Sequence, residues 1–155
     1  LLERFWTGEL SSVSQAFHEE LAFNLAIDPG DSSPAVMVAG SIDRIDRLPS
    51  GGIEVIDYKT GRTTSQKGVD ESLQLSIYAL AARDELDLGT PERVTLYFTE
   101  QATRMSTTRT DEQLDAARDD LAERAARIRS GDFAATPGKP CYFCDFAAMC
   151  PARAG

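Results

Sequence analysis

From Gly40 to Gly61 the chain passes through two apolar-rich segments separated by Pro49-Ser50-Gly51-Gly52, and this stretch limits the possible folds more than any other. A Pro-Ser-Gly-Gly turn between strand-forming runs predicts a β-hairpin, with strands over Ala35 to Leu48 and Ile53 to Lys59. Side chains alternate along a strand, so Ile53, Val55, Asp57 and Lys59 share one face while Glu54, Ile56 and Tyr58 take the other. Antiparallel pairing about the turn brings Asp43 within reach of Asp57. Two carboxylates and an ammonium are therefore expected at one corner.

Such a corner suits a divalent cation, because Mg²⁺ takes hard oxygen ligands, keeps several waters and needs few protein carboxylates. A lysine beside it can orient or help activate an attacking water and stabilise charge building on a phosphate. An Asp-x-Lys pair alone is more often an exposed ion pair, and a Gln-x-x-x-Tyr pair alone more often part of an ordinary amphipathic helix. Here the two occur together. Ile56-Asp57-Tyr58-Lys59-Thr60-Gly61, preceded by Gly40-Ser41-Ile42-Asp43 and followed by Gln74 and Tyr78, resembles the signature of RecB-type nucleases of the PD-(D/E)xK superfamily. The resemblance is strongest from Gly40 to Tyr78. Through the C-terminal cysteines it extends to an iron–sulfur-bearing branch that includes AddB-type helicase-nucleases.

The resemblance implies roles residue by residue. Asp43 and Asp57 would be carboxylate ligands of Mg²⁺ or Mn²⁺, the Tyr58 backbone carbonyl a further ligand, and Lys59 the catalytic lysine. Gln74 and Tyr78 would be the helix pair beside the site. The implied activity is metal-dependent hydrolysis of DNA, as the exonuclease module of a helicase-nuclease in double-strand-break repair. DNA and a helicase domain or subunit are the implied partners.

With 155 residues, 42% of them hydrophobic and 26% charged, the chain is able to bury a core and reads as one soluble unit. No segment approaches membrane-spanning length and none resembles a signal peptide, so a cytoplasmic setting is expected. The formal net charge of −9 disfavours generic nucleic-acid binding, since phosphate contacts by Lys and Arg dominate that affinity. It accords with a module whose DNA is delivered by a basic neighbour. The chain opens on Leu1-Leu2-Glu3-Arg4-Phe5-Trp6, which reads as the interior of a helix over Leu1 to Leu10. This suggests a piece of a longer polypeptide, with a nuclease core over 1–135 that lacks its N-terminal helix and is inactive or weak by itself.

Further along, Leu21, Phe23, Leu25 and Ile27 alternate as a half-buried strand from Glu20 to Ile27. His18, the one histidine, precedes that strand and reads as solvent-facing; the metal-ligating histidine of RecB-type nucleases would lie upstream of Leu1. A helix is predicted over Val69 to Leu86 with a stripe of Leu73, Ile77 and Leu80. A strand is predicted over Arg93 to Thr99 and a short edge strand over Met105 to Arg109. Thr110 and Gln113 form a capping box for a helix over Asp111 to Arg129 that Gly131 closes.

Residues 136–155 form a tail with Cys141, Cys144 and Cys150. Clustered cysteines suit metal ligation better than a disulfide framework in a cytosolic chain. The resemblance implies a [4Fe-4S] cluster whose fourth cysteine lies upstream. Zinc with Asp145 or His18 as fourth ligand is the alternative.

The expected fold is α/β, a central mixed β-sheet flanked by helices with a restriction-endonuclease-like core. Two other readings compete. A catalytically silent DNA-binding or scaffold module would keep this fold, though intact Asp43, Asp57 and Lys59 argue against it. A metal-ribbon module centred on the cysteines leaves the first hundred residues unexplained.

Overall fold

The computed structural model describes residues 15–29 and 32–153, so the helix expected over Leu1 to Leu10 lies outside the described residues. Strands β1 (Gln15–Ile27), β2 (Val36–Arg47), β3 (Ile53–Lys59), β4 (Arg93–Phe98) and β5 (Thr103–Thr107) form one sheet in that order. β3 and β4 run parallel, while the other neighbours are antiparallel. A parallel pair needs a long return path, which helices α1 (Gln66–Asp70) and α2 (Leu73–Leu80) and a π-helical turn (Ala81–Glu85) supply. Helix α3 (Asp111–Arg129) follows β5. The expected mixed sheet flanked by helices is the fold observed. One compact unit runs through Glu123 and a second begins at Arg124.

The hairpin forms where the turn residues place it. Gly51 N–H donates to Leu48 O and Leu48 N–H to Gly52 O, both at 2.9 Å, with Gly51 at φ 93°, a conformation open chiefly to glycine. β1 begins at Gln15 rather than Glu20, so His18 lies within a strand and is half-buried. The pairing shifts register between Ala16 and His18, and Glu20 has φ 49°. Those irregularities break the alternation that would have marked the strand in sequence.

The helix expected over Val69 to Leu86 is interrupted. Ser72 takes an extended backbone and its side chain accepts from Leu75 N–H, capping a new helix. From that start Leu75, Tyr78, Ala79 and Ala82 face the core, and Leu73 and Ile77 are only half-buried. Those four positions make a helical stripe that Tyr and Ala disguise as less apolar than the Leu/Ile alternative. The capping box is present: Gln113 Oε1 accepts from Thr110 N–H at 2.9 Å and Thr110 Oγ1 from Gln113 N–H at 3.3 Å.

The two faces of the sheet differ in chemistry. Ile53, Val55, Val94, Leu96 and Phe98 join Phe23, Leu25, Leu75, Leu80 and Leu114 in one apolar core. On the other face Glu54, 1% exposed, accepts from Arg93 at 2.8 Å, Arg104 at 2.7 Å and Thr95 at 2.5 Å. Arg44 Nη2 donates to buried Asp46 at 2.8 Å on the same face. Burial alone would raise the Glu54 carboxyl; its three donors hold it below the ordinary glutamate range.

Candidate active site

The site forms where two strands part. β2 pairs with β3 from Arg47↔Ile53 as far as Arg44↔Ile56, after which β2 continues with β1 alone, to Ile27↔Val36. Asp43 and Asp57 are the next residues on the diverging strands. Tyr58 N–H, freed from the ladder at this fork, donates to Asp43 Oδ2 at 2.8 Å. Ile53 O and Lys59 O accept from Glu92 N–H and Thr99 N–H on the β4 side. Strand carbonyls alternate in direction, so the Tyr58 carbonyl points toward β2 and the fork.

Asp57 is buried at the end of β3, and Lys59, on the same face, reaches back to it with Nζ 2.6 Å from Oδ2. α2 lies across this pair. Gln74 Oε1 accepts from Lys59 Nζ at 2.9 Å, while Gln74 Nε2 donates to Tyr78 Oη at 2.9 Å and Asp57 Oδ1 at 3.4 Å. Tyr78 Oη donates to Asp57 Oδ1 at 3.2 Å. The structure thus brings Asp43, Asp57, Tyr58, Lys59, Gln74 and Tyr78 together. Two further residues adjoin the site, the buried Phe23, and Gly40 of the Gly40-Ser41-Ile42-Asp43 stretch. Phe23 meets the Tyr78 ring edge-on, with centroids 6.1 Å apart. A Cβ at Gly40 would fall 2.6 Å from Phe23 Cζ, so the glycine of Gly40-x-Ile-Asp makes room for that ring.

Burial pushes the Asp57 carboxyl above its ordinary value, and the Asp43 charge adds to this, together outweighing the pull of Lys59 and Tyr78. Burial and the Asp57 charge push the Tyr78 phenol up to about 12, so it stays a donor. Asp57 Oδ1 has two donors, and the buried Oδ2 is matched by an ion pair with the Lys59 ammonium at 2.6 Å. A buried carboxylate whose second oxygen is held by a mobile ammonium, beside a second carboxylate, is donor chemistry that fits a hard divalent cation.

His18 does not join this group. It pairs opposite Ile45 toward the hairpin turn, its ring 4.2 Å from that of Phe17. The second unit carries the cysteines. Cys141, Cys144 and Cys150 have free thiols and border one hollow of about 530 Å³, lined also by Pro137, Lys139 and Tyr142. Gly138 N–H donates to Cys141 Sγ at 3.4 Å. Among the described residues no group of three or more His, Cys, Asp or Glu side chains is arranged to hold a metal ion, so the three thiols make no cluster site by themselves. Also among the described residues, no helix is long and apolar enough to cross a membrane.

The PD-(D/E)XK nuclease superfamily matches residues 1–151. A subunit of the ATP-dependent helicase/deoxyribonuclease of Streptococcus mutans is 46% identical over 50 residues, which is 32% of this chain and 4% of that protein. The crystal structure of SSO0001 superposes with a TM-score of 0.54 at 24% identity, covering 99% of this chain and 67% of that one. At that identity the likeness extends to the fold alone.

Proposed function

The chain belongs to the PD-(D/E)XK nuclease superfamily, and on that premise we propose that it is a metal-dependent deoxyribonuclease module working within a larger helicase-nuclease for double-strand-break repair. The observation that carries the chemistry is the buried Asp57 carboxylate, its Oδ2 paired with Lys59, beside Asp43. Asp43, Asp57 and the Tyr58 carbonyl would hold Mg²⁺ or Mn²⁺, which when bound supplies Lewis-acid stabilisation at the scissile phosphate. Tyr78 and Gln74 donate to Oδ1 of Asp57, so a cation would meet Oδ2, where it would take the place of the Lys59 ammonium. Gln74 Oε1 accepts a hydrogen bond from Lys59 and so would hold the displaced ammonium beside the attacking water and the phosphate.

The helicase context is supported by the similarity to the streptococcal helicase/deoxyribonuclease, of whose matched polypeptide the chain spans 4%. The assay is digestion of linear DNA by residues 1–155 and by a longer polypeptide carrying them, with Mg²⁺, Mn²⁺ or EDTA. EDTA-sensitive digestion is expected from the longer polypeptide, and little from residues 1–155 alone. DNA binding without digestion at any metal concentration would assign a scaffold role instead.

On the same reading Cys141, Cys144 and Cys150 supply three thiolates of an iron–sulfur cluster, with further ligation from outside this set. All three border one hollow of the second unit. The longer polypeptide, purified without oxygen, is expected to contain iron and visible iron–sulfur absorption, and residues 1–155 to lose both, because an iron left open to solvent is readily oxidised. Stoichiometric zinc without iron would make the site a zinc staple.

A further inference from the structure

Arg109 stands between β5 and α3 and is 7% exposed. Its guanidinium has five donors, and every one meets a neutral oxygen. Nε donates to Ser76 Oγ at 2.9 Å. Nη1 donates to Thr107 Oγ1 at 3.1 Å and Thr108 O at 2.9 Å. Nη2 donates to Val69 O at 3.2 Å and Ser72 O at 3.3 Å. Burying a cation whose hydrogen bonds all go to neutral oxygens is costly, with the nearby Asp70 charge offsetting part of that cost, and three of the five contacts lie at the corner between α1 and α2. Val69 O is a carbonyl near the end of α1, Ser72 caps α2, and Ser76 lies one turn along α2. Ser76 Oγ also donates to Ser72 O at 3.3 Å, closing the clasp.

Gln74 sits between those two serines. Its amide is the hinge of the site, since it accepts from Lys59 and donates to Asp57 and Tyr78. We propose that Arg109 is a positioning residue for this site: by fastening Ser72 and Ser76 on either side of Gln74, it fixes the start and rotation of α2 that deliver Gln74 and Tyr78 to Lys59 and Asp57. The kinetic consequence rests on the nuclease reading; the geometric one does not. Burial of Leu75, Tyr78 and Ala79 sets which face of the helix meets the core, and the clasp adds a fixed start to the helix beside Gln74. Lysine cannot replace the arginine fully, because a point charge with three donors cannot span acceptors on three segments.

The test uses Arg109→Gln, Arg109→Lys and Ser76→Ala. In the 155-residue chain, the side-chain amide resonances of Gln74, identified by their loss in Gln74→Glu, are compared with the melting temperature. Arg109→Gln is expected to shift the Gln74 resonances toward those of a solvated glutamine, with Arg109→Lys intermediate. In the longer polypeptide kcat is expected to fall about ten- to a hundredfold, the scale of a small misplacement near the reacting atoms, with KM for DNA little changed. A merely structural arginine would lower the melting temperature and leave both the resonances and the kcat-to-KM split alone, and that result overturns the proposal. Should Arg109→Gln fail to fold, Ser76→Ala decides, since it removes the Nε acceptor and the Ser76–Ser72 bond while keeping the guanidinium: shifted Gln74 resonances support the clasp and unchanged ones sink it. Shifted resonances in a chain whose longer polypeptide never cuts DNA would remove the nuclease reading while leaving the positioning role in place.

Discussion

Asp57→Asn is expected to abolish DNA cleavage, by at least about 10³-fold, while raising the melting temperature of the metal-free protein. The loss follows from exchanging a charged oxygen for a neutral amide at the atom the cation needs; removal of one such electrostatic group typically costs 10²–10³ or more in rate. The gain follows from burial. The Asp57 carboxyl is pushed up by its surroundings, so its ionised form is unfavourable there, and an amide of the same shape removes that penalty. Relief of a function-driven penalty of this kind commonly amounts to about 0.5–2 kcal/mol. Lys59 would lose its carboxylate, but its side chain is 34% exposed and water replaces the partner. Lys59→Ala should remove cleavage without the stability gain. Rates on linear DNA and thermal melts of the same preparations check both arms. Cleavage within tenfold of wild type in Asp57→Asn would remove this carboxylate from the active site.

Glu54→Ala is expected to have the largest effect on folding, about 3 kcal/mol of destabilisation. Removing one member of a buried charge cluster costs roughly 3–5 kcal/mol because partners are left uncompensated. The lower end applies, since the Arg93 and Arg104 side chains are 47% and 30% exposed and are able to recover water. Glu54→Gln, which keeps the acceptor for Thr95, should cost less, about 1–2 kcal/mol. The pH dependence has a definite sign. The folded Glu54 carboxyl lies below its unfolded value, so its contribution is present above the unfolded glutamate range and is lost as pH falls through the folded value. Urea midpoints of wild type and Glu54→Gln should therefore converge on acidification. A gap that stays constant down to strongly acidic pH would mean that the arginines do not act through the Glu54 charge.

The hairpin was legible in the residues, because Pro49 to Gly52 admit a tight turn and little else, and so was the alternation that sends Asp57 and Lys59 to one face. Local chemistry also fixed the α3 boundary, where Thr110 and Gln113 satisfy each other's backbone. These features involve residues close in the chain, and short-range geometry is what a sequence pattern encodes. The fork came from long-range packing. That β2 leaves β3 after Arg44↔Ile56, freeing Tyr58 N–H for Asp43, depends on where β1 captures β2, and no periodicity in β2 records it. The break at Ser72 and the clasp of Arg109 upon it are of the same kind. Asp70 and Ser72 suit a helix interior poorly, yet whether the chain breaks or continues there depends on a guanidinium beyond β4 and β5 in the chain. Glu54 is the plainest case. An acidic residue in a strand reads as solvent-facing until Arg93 and Arg104 arrive from β4 and β5, and only the sheet order brings them beside it, where their charge makes burial of a carboxylate tolerable.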